Sequence, residues 1–379
     1  MTDPRPSVHP AVRPTIGRAT LLQPSARPDS RSPILKLNSN ENPYPPSPQA
    51  IAALRSITGD SLRRYPDANA DEFRDAVSAD LNVPPDWILV TNGADALIDH
   101  IVRACAEGAD RPVVIPTPTY PLYAHLATLQ PAETIAIPYT ITTGTPAHQP
   151  NTYRLPIEAI AAANGAVTFI ANPNSPTGHT IPIEQLRSLA AQLTGILVID
   201  EAYVDFQEPG TPSALELVRE FEHVIVLRTL SKGYALAGLR LGFGVANPRV
   251  WAEIAKVKPV YNVDAIAVRV GAAAIADRAY KDARSAMIRQ TRSRFTQALH
   301  DRGFAVWPSC GNFVLVRPPD GAARSLHDAL RSRQIWTRYY SQPDLADQLR
   351  ITIGTDSQMQ QVIAAIDAIS PHATSALGC

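Results

Sequence analysis

The sequence contains few cysteines and no excess of charge of either sign. Its 379 residues include three cysteines, and 35 basic residues balance 35 acidic ones. Cys105, Cys310 and Cys379 cannot all pair within one chain, and their spacing matches no metal-binding pattern. We therefore expect a reducing compartment and no metal site. A neutral chain without a basic run also gives no indication of a nucleic-acid partner.

Long apolar runs are absent as well. No uninterrupted apolar run is long enough to span a bilayer, and the N-terminus lacks the apolar segment of a signal peptide. These absences predict a cytoplasmic protein without membrane contact. The hydrophobic content of 45% and charged content of 18% are ordinary for a globular protein, and the length suits two packed domains.

From about residue 86, short apolar strands alternate with amphipathic helices. Apolar strands are predicted at 87–90, 113–115, 167–170, 196–199 and 224–227, with helices at 97–105, 120–129 and 183–193. This alternation predicts an α/β fold with a mostly parallel central sheet flanked by helices. A long helical stretch over 264–301, with room for one break, is followed by strands and helices that predict a smaller α/β C-terminal domain.

The chain divides into four predicted regions. Residues 1–30 are rich in Pro, Arg and Ser, which favours a flexible N-terminal arm. Residues 31–60 are expected to pack with the smaller domain. The large, ligand-binding domain is assigned to 61–262 and the small C-terminal domain to 263–379.

Polar residues follow four of the predicted strands. In an open parallel sheet, ligands bind beyond the carboxyl ends of the strands. The polar segments are 91–95, 172–178, 200–203 and 228–232. Each is a weak signal alone, but together they predict one site at one edge of the sheet.

Two of these segments have a structural explanation beside the functional one. The turn from Gly93 to Asp95 opens a helix whose free N–H groups suit a phosphate, and a simple cap by Asn92 explains the same pattern. Asp200 follows four apolar residues, so its carboxylate needs a cationic or N–H partner. A protonated pyridine nitrogen and a salt bridge both meet that need.

Lys232 is the most informative single residue. Most lysines are solvated. Lys232, however, follows Thr229 and Ser231, and Arg240 lies eight residues further on. Hydroxyl groups with a guanidinium suit a phosphate, and an amine among them suits Schiff-base chemistry with a carbonyl.

The stretch from Ser231 to Phe243 resembles the class I/II aminotransferases, whose fold is fold type I of the pyridoxal-phosphate enzymes. Further segments resemble the histidinol-phosphate aminotransferase branch: Leu37–Tyr44, Arg64–Asp67, Asp200–Tyr203 and Leu349–Thr355. The resemblance runs in consistent order from about residue 34 to 370, which is more specific than a single motif.

The resemblance implies pyridoxal 5′-phosphate as the cofactor and gives roles to individual residues. Lys232 would hold the cofactor as a Schiff base and move the proton during transamination. Asp200 would pair with the pyridine nitrogen, Tyr203 would bind the phenolic oxygen, and Tyr120 would stack on the ring. The residues implied for the cofactor phosphate are Ala94, Asp95, Thr229, Ser231 and Arg240.

The resemblance also implies a partner and substrate contacts. Tyr65 would reach the phosphate of the neighbouring subunit, so a homodimer is expected. Arg350 would bind the substrate α-carboxylate and Arg338 its distal phosphate. The small-molecule ligands would be an amino donor and a 2-oxo acid acceptor.

The sequence departs from the family pattern at three places, of which Ala96, where the family often has an acidic residue, is expected to be minor. The family has an asparagine immediately before Pro-Thr-Gly, where this chain has Ser175, preceded by Asn174; both remain candidates for the contact to the phenolic oxygen. The family arm often carries a tyrosine that meets the substrate phosphate, and residues 21–28 contain none.

The expected reaction is transfer of the amino group from L-histidinol phosphate to 2-oxoglutarate, giving imidazole-acetol phosphate and L-glutamate in histidine biosynthesis. Because the arm lacks the tyrosine, an aromatic amino-acid transaminase and a threonine-phosphate decarboxylase of the same fold remain alternatives. A non-catalytic regulator is disfavoured, since such proteins add a DNA-binding domain and would not need Lys232, Asp200 and Arg350 together.

Overall fold

The computed structural model describes residues 12–22, 34–142 and 152–369. The strands are β1 Leu35–Lys36, β2 Ile88–Thr91, β3 Val113–Thr117, β4 Thr134–Pro138, β5 Thr140–Thr142, β6 Thr152–Arg154, β7 Val167–Ala171, β8 Ile196–Asp200, β9 Val224–Thr229, β10 Gly242–Val245, β11 Ala305–Val306, β12 Phe313–Arg317, β13 Ile335–Trp336, β14 Arg338–Tyr339 and β15 Leu349–Thr352. The helices are α1 Pro14–Arg18, α2 Pro48–Arg55, α3 Gly59–Arg63, α4 Asp71–Leu81, α5 Ala94–Cys105, α6 Leu122–Leu129, α7 Ile157–Ala162, α8 Ile183–Ala190, α9 Leu215–Glu220, α10 Pro248–Ile254, α11 Ala265–Ala276, α12 Arg278–His300, α13 Ala323–Ser332 and α14 Asp356–Ile369.

A seven-stranded sheet forms the centre of the larger domain, in the order β2-β10-β9-β8-β7-β3-β4. β10 runs antiparallel to both of its neighbours, and the other pairings in this sheet are parallel. The predicted α/β fold with a mostly parallel sheet is therefore confirmed.

The central strands are apolar because helices cover both faces of the sheet. In β7, for example, every residue is buried. Ile170 packs in a core with helices α4, α7, α8, α9 and α11, whereas its neighbour Phe169 packs on the opposite face with α5, α6 and α10. This division follows from the two-residue period of a strand, and it explains why these strands read as unbroken apolar runs.

The smaller domain contains an antiparallel sheet in the order β11-β12-β15-β14, packed with α12, α13 and α14 around a separate core. The long helical stretch predicted over 264–301 is divided into α11 and α12 at Asp277. Near the start of the chain, β1 pairs in parallel with β13, so the N-terminal segment adds a strand beside the smaller domain.

Within the arm predicted for residues 1–30, the structure describes residues 12–22. They include one short helix, α1, which begins at a proline. Arg13, just before this helix, donates a hydrogen bond to the carbonyl of Leu129. Proline at a first helical position loses no intrahelical bond. No helix in the described ranges is both long and apolar enough to cross a bilayer.

Candidate active site

One cavity opens beyond the carboxyl ends of the central strands, and ten of the fourteen predicted site residues line it. The strand ends that reach it belong to β7, β8 and β9, and the N-terminus of α5 closes one side. Asn174, Tyr65, Arg338 and Arg350 are the predicted residues that do not line this cavity. The topological rule that placed polar strand ends at one edge of a parallel sheet accounts for the clustering.

The side chain of Lys232 lines the cavity. Its Nζ donates to the carbonyl of Ser39 at 3.1 Å and lies 5.7 Å from the centre of the Tyr203 ring. Among the described residues, no carboxylate forms a salt bridge with it. The Lys232 backbone is fixed from the N-terminal segment, because Asn42 Nδ2 donates to its carbonyl at 3.0 Å. Hydrogen bonds therefore fix the position of Lys232, while no carboxylate of the described residues pairs with its amine.

Asp200, at the end of β8, is a buried carboxylate that receives two hydrogen bonds. The hydroxyl of Tyr123 donates to Oδ2 at 2.7 Å and the amide of Ala202 donates to Oδ1 at 3.0 Å. Burial raises the pKa of Asp200 to about 6, although both hydrogen bonds act against the rise. No cation of the described residues pairs with Asp200, so a cationic ligand group would find an acceptor here.

The N-terminus of α5 has the features of an anion site. The helix begins at Ala94 after Gly93 and has no side-chain cap, so the predicted alternative of a cap by Asn92 is wrong. A side chain at Gly93 would collide with the guanidinium of Arg240, its Cβ lying 2.7 Å from Nη2. Uncapped N–H groups beside a guanidinium and an open space suit a phosphate.

Two hydroxyl groups complete this end of the cavity. Thr229 Oγ1 donates to Ser231 Oγ at 3.0 Å, and Arg240 Nη1 donates to the same Ser231 oxygen at 3.4 Å. The carboxylate of Asp95 lies 3.5 Å from Arg240 Nη2. It also accepts a hydrogen bond of 3.2 Å from the hydroxyl of Tyr120, whose ring packs edge-on against Tyr123. Burial raises the pKa of the Tyr120 hydroxyl, which therefore stays protonated.

The structure separates the two candidates that precede Pro-Thr-Gly. Asn174 is fully buried behind the cavity, where its Nδ2 donates to Thr177 Oγ1 at 2.7 Å and to the carbonyl of Pro118 at 3.1 Å. Ser175 lines the cavity, and its Oγ accepts a hydrogen bond of 3.0 Å from Arg350 Nη1. Of these two residues, Ser175 lines the cavity and Asn174 does not.

Arg350 and Arg338 lie opposite each other on neighbouring antiparallel strands of the smaller domain. Arg350 Nη2 donates to the carbonyl of Asn38 at 3.0 Å. The guanidinium groups of Arg350 and Arg338 lie 5.9 Å and 5.6 Å from the ring centre of Tyr340. Within the described parts of the chain, neither arginine has a carboxylate partner. Two uncompensated guanidinium groups on adjacent strands favour an anionic ligand.

Tyr65 lies away from the cavity of its own chain. It is 81% exposed and stacks on Tyr261, with ring centres 4.6 Å apart. Leu62 and Val260 are also exposed, at 58% and 64%. We call these four residues the Tyr65 patch.

Sequence reasoning missed two residues that contact the predicted ones. Tyr123 donates to Asp200, and Asn40 Nδ2 donates to the hydroxyl of Tyr203 at 2.9 Å. Asn40 belongs to the stretch 37–44, which the family resemblance singled out without a role for it. Tyr123 lies in the first turn of α6, three residues after Tyr120, and the two rings pack edge-on.

Known proteins resemble this chain over nearly all of its length. A sequence profile of the aminotransferase class I and II family matches residues 32–366. Histidinol-phosphate aminotransferase 1 of Trichormus variabilis is 51% identical over 343 residues, which cover 90% of this chain and 94% of that protein. Histidinol-phosphate aminotransferase of Citrifermentans bemidjiense is 38% identical over 364 residues, covering 95% of this chain and 99% of that one.

A solved structure shares the fold. The crystal structure of histidinol-phosphate aminotransferase from Sinorhizobium meliloti in complex with pyridoxal 5′-phosphate superposes with a TM-score of 0.85 at 28% identity. The match covers 96% of this chain and 98% of the other.

Proposed function

This chain belongs to the class I and II aminotransferases, and we propose that it transfers the amino group of L-histidinol phosphate to 2-oxoglutarate. The names of the relatives and of the solved structure support this substrate. The observation that carries the proposal is that a lysine amine with no carboxylate partner among the described residues and a buried carboxylate lie in one cavity, beside an uncapped helix end.

The cofactor of the family is pyridoxal 5′-phosphate, and the cavity fits it. The N–H groups at the start of α5 and the guanidinium of Arg240, which packs against Gly93, would hold the phosphate. Asp200 needs a cationic partner, which a protonated ring nitrogen provides. When bound, the cofactor supplies a reactive carbonyl carbon and a ring that accepts electrons from the substrate.

Lys232 and Asp200 would control where protons are held during the reaction. Lys232 would hold the cofactor through its amine. The same amine would serve as the base for the proton on the substrate Cα. Asp200, as an anion, would accept a hydrogen bond from the ring nitrogen of the cofactor, and the Tyr203 hydroxyl would donate to its phenolic oxygen.

The two arginines would recognise both substrates in turn. L-histidinol phosphate brings a phosphate with nearly two negative charges, and 2-oxoglutarate brings two carboxylates. Arg350 is oriented by Ser175 and Asn38, so it offers a fixed guanidinium to the nearer anionic group. L-histidinol phosphate has one anionic group, so Arg338, on the neighbouring strand, would share its phosphate with Arg350, whereas 2-oxoglutarate would offer Arg338 its second carboxylate.

The proposal is tested by the absorbance of the purified protein loaded with pyridoxal phosphate. We expect a visible band that is absent from Lys232→Ala. L-histidinol phosphate should remove that band and 2-oxoglutarate should restore it. A band that responds instead to phenylalanine or to threonine phosphate would replace the proposed substrate by one of the alternatives. Absence of any band in folded, loaded protein would refute the enzymatic proposal.

A substitution at Arg338 tests the substrate assignment separately. Arg338→Met should raise the concentration of L-histidinol phosphate needed for half-maximal conversion by about tenfold to a hundredfold, because a charge-assisted hydrogen bond is lost. Arg331→Met is the matched control, since Arg331 also packs over an aromatic ring, that of Trp336, but on the exposed face of α13. Equal effects of the two variants would contradict the role of Arg338.

We also propose a homodimer in which Tyr65 contacts the cofactor phosphate of the partner subunit. Tyr65 is exposed within a patch of apolar side chains, and such patches favour an interface. A cytoplasmic location is proposed as well, because Cys105 and Cys310 are free thiols, which fits a reducing compartment.

A further inference from the structure

Asn40 is fixed where the N-terminal segment meets the smaller sheet. It is 1% exposed, and its φ of 53° lies in the left-handed region, which asparagine tolerates better than most residues. Its amide donates to Thr352 Oγ1 at 3.0 Å, and its carbonyl accepts from Asn312 Nδ2 at 2.9 Å. Thr352 ends β15 and Asn312 precedes β12, so two paired strands hold the Asn40 backbone.

The orientation of the Asn40 side-chain amide follows from its neighbours. Thr352 Oγ1 donates to Asn40 Oδ1 at 3.1 Å, and Asn40 Nδ2 donates to the Tyr203 hydroxyl at 2.9 Å. If the amide were turned by 180°, the hydroxyl hydrogen of Thr352 would have no acceptor among the described residues. The observed orientation satisfies both groups, and it presents an N–H donor to Tyr203.

This contact constrains the hydroxyl hydrogen of Tyr203. A phenol has one hydrogen to donate, and its oxygen accepts. Because the oxygen accepts from Asn40, the hydrogen must be directed at a different group. Asn40 is the one hydrogen-bonding partner of this hydroxyl within the described ranges, and Tyr203 lines the cavity beside Lys232. The hydrogen is thus available to an acceptor in the cavity.

We infer that Asn40 is a positioning residue that makes Tyr203 a hydrogen-bond donor toward the bound ligand. The inference rests on the proposed function, in which the cofactor presents an anionic phenolic oxygen near Tyr203. Asn40 acts through Tyr203 and does not itself line the cavity. Its anchor on Thr352, two residues after Arg350 in β15, also ties this donor to the strand that carries a substrate-binding arginine.

Asn40→Asp tests the inference because it keeps the shape of the side chain and reverses its polarity. The carboxylate would accept the Tyr203 hydrogen and withdraw it from the ligand. We expect the pH midpoint of the cofactor absorbance, titrated in the loaded full-length chain without substrate, to rise by about one unit or more. The reason is that the anionic oxygen loses a donor and gains a negative charge nearby.

Asn40→Gly provides a second variant that suits the φ of 53° and removes the amide. The Tyr203 hydroxyl keeps its hydrogen, but no neighbouring donor directs that hydrogen toward the ligand. The pH midpoint of the cofactor absorbance should therefore rise by less than in Asn40→Asp. This variant decides the question if Asn40→Asp fails to fold or to bind cofactor, which thermal melting and cofactor titration would reveal.

Each variant is then combined with Tyr203→Phe. If Asn40 acts through the hydroxyl, Asn40→Gly should no longer raise the pH midpoint in that background. Asn40→Asp should then raise the midpoint only by the effect of its negative charge. Wild-type midpoints in both single variants would overturn the inference, as would shifts of the same size with and without the hydroxyl. Failure of the proposed function would instead appear as a missing absorbance band in the wild-type protein.

Discussion

Two opposing influences act on the carboxyl group of Asp200. Burial disfavours its charged form, whereas the Tyr123 hydroxyl and the Ala202 amide donate to it and favour that form. The result is a pKa raised to about 6, so the anion prevails at neutral pH but is lost under mild acid. In the proposed function the anion pairs with the ring nitrogen, and cofactor affinity should therefore weaken as the pH falls through about 6.

Tyr123→Phe should move this loss of affinity to higher pH. The substitution removes the hydrogen bond that lowers the pKa of Asp200, so the carboxyl group takes up its proton earlier as the pH falls. The measurement is the dissociation constant of pyridoxal phosphate from the cofactor-free full-length protein, titrated between about pH 5 and pH 8. We expect the acid limb of the affinity profile to shift upward by about half a unit to one unit.

Tyr139→Phe is the matched control for Tyr123→Phe. Tyr139 is also buried, and its hydroxyl has no hydrogen-bonding partner within the described ranges. Its removal should leave the pH profile of cofactor affinity unchanged. If Tyr123→Phe gave the same profile as Tyr139→Phe, the hydrogen bond to Asp200 would have no influence on cofactor binding.

The sequence could indicate Lys232 and Asp200 because Asp200 ends an apolar strand and Lys232 comes shortly after one. Their positions in the sequence therefore predict that they lie near the edge of the sheet. The sequence could not indicate Tyr123 or Asn40 in the same way. Tyr123 lies 77 residues from Asp200, and Asn40 lies 163 residues from Tyr203. Such contacts depend on how α6 packs on the sheet and how the N-terminal segment crosses the molecule, and neither is encoded in local spacing.

At the level of elements, the anion site depends on close packing between α5 and β10. Gly242 opens β10 and lies against the first turn of α5, where a Cβ would be 2.5 Å from the Ala94 nitrogen and 2.8 Å from the Gly93 carbonyl carbon. Both atoms belong to the backbone, so no side-chain rotation can relieve the overlap. The position of the helix N-terminus is therefore set by the absence of a side chain in the neighbouring strand.

Gly242→Ala should push the start of α5 away from the sheet and weaken the phosphate contacts. We expect a loss of stability of about 1–3 kcal/mol and a rise of about tenfold in the dissociation constant of pyridoxal phosphate. Thermal melting of the cofactor-free protein and a cofactor titration measure the two effects. Gly59→Ala is the control, because a Cβ at Gly59 would meet no atom within 4 Å and this residue lies far along the chain from the anion site. An unchanged dissociation constant in Gly242→Ala would show that α5 does not bind the phosphate.

The prediction of elements succeeded where apolar periodicity was strong. The strands β2, β3, β7, β8 and β9 and the helices α5, α6 and α8 lie at the predicted places, with ends shifted by a few residues. It missed β10, whose sequence Gly-Phe-Gly-Val has little strand propensity of its own, and β4, a half-exposed edge strand that ends in proline. β10 is a strand because β2 and β9 pair with it on both sides, which is a tertiary effect.

At the scale of the whole molecule, the N-terminal segment links the two domains at the site. β1 pairs with β13 of the smaller domain, while Asn42 donates to the carbonyls of Lys232 and Gly233 in the larger one. Lys281 on α12 pairs with Asp205 at 2.8 Å, and this ion pair adds a second connection near the same region. Residues of the candidate site are therefore positioned by both domains, and composition alone could not reveal this.

The proposed homodimer leads to a complementation test, because Tyr65 and Lys232 would belong to different subunits at each site. Tyr65→Ala and Lys232→Ala should each be weakly active or inactive at limiting cofactor. A mixture of the two variants should recover about a quarter of wild-type activity. The reason is that half of the dimers would be hybrids, and each hybrid would have one intact site of two. Lys232→Ala mixed with Asp200→Ala should recover none, because both residues line the cavity of one chain. Sedimentation of the wild-type protein as a monomer, or equal recovery in the two mixtures, would refute the shared site. Recovery in the first mixture alone would place the exposed Tyr65 patch at a subunit interface and would explain why Tyr65 lies outside the cavity of its own chain.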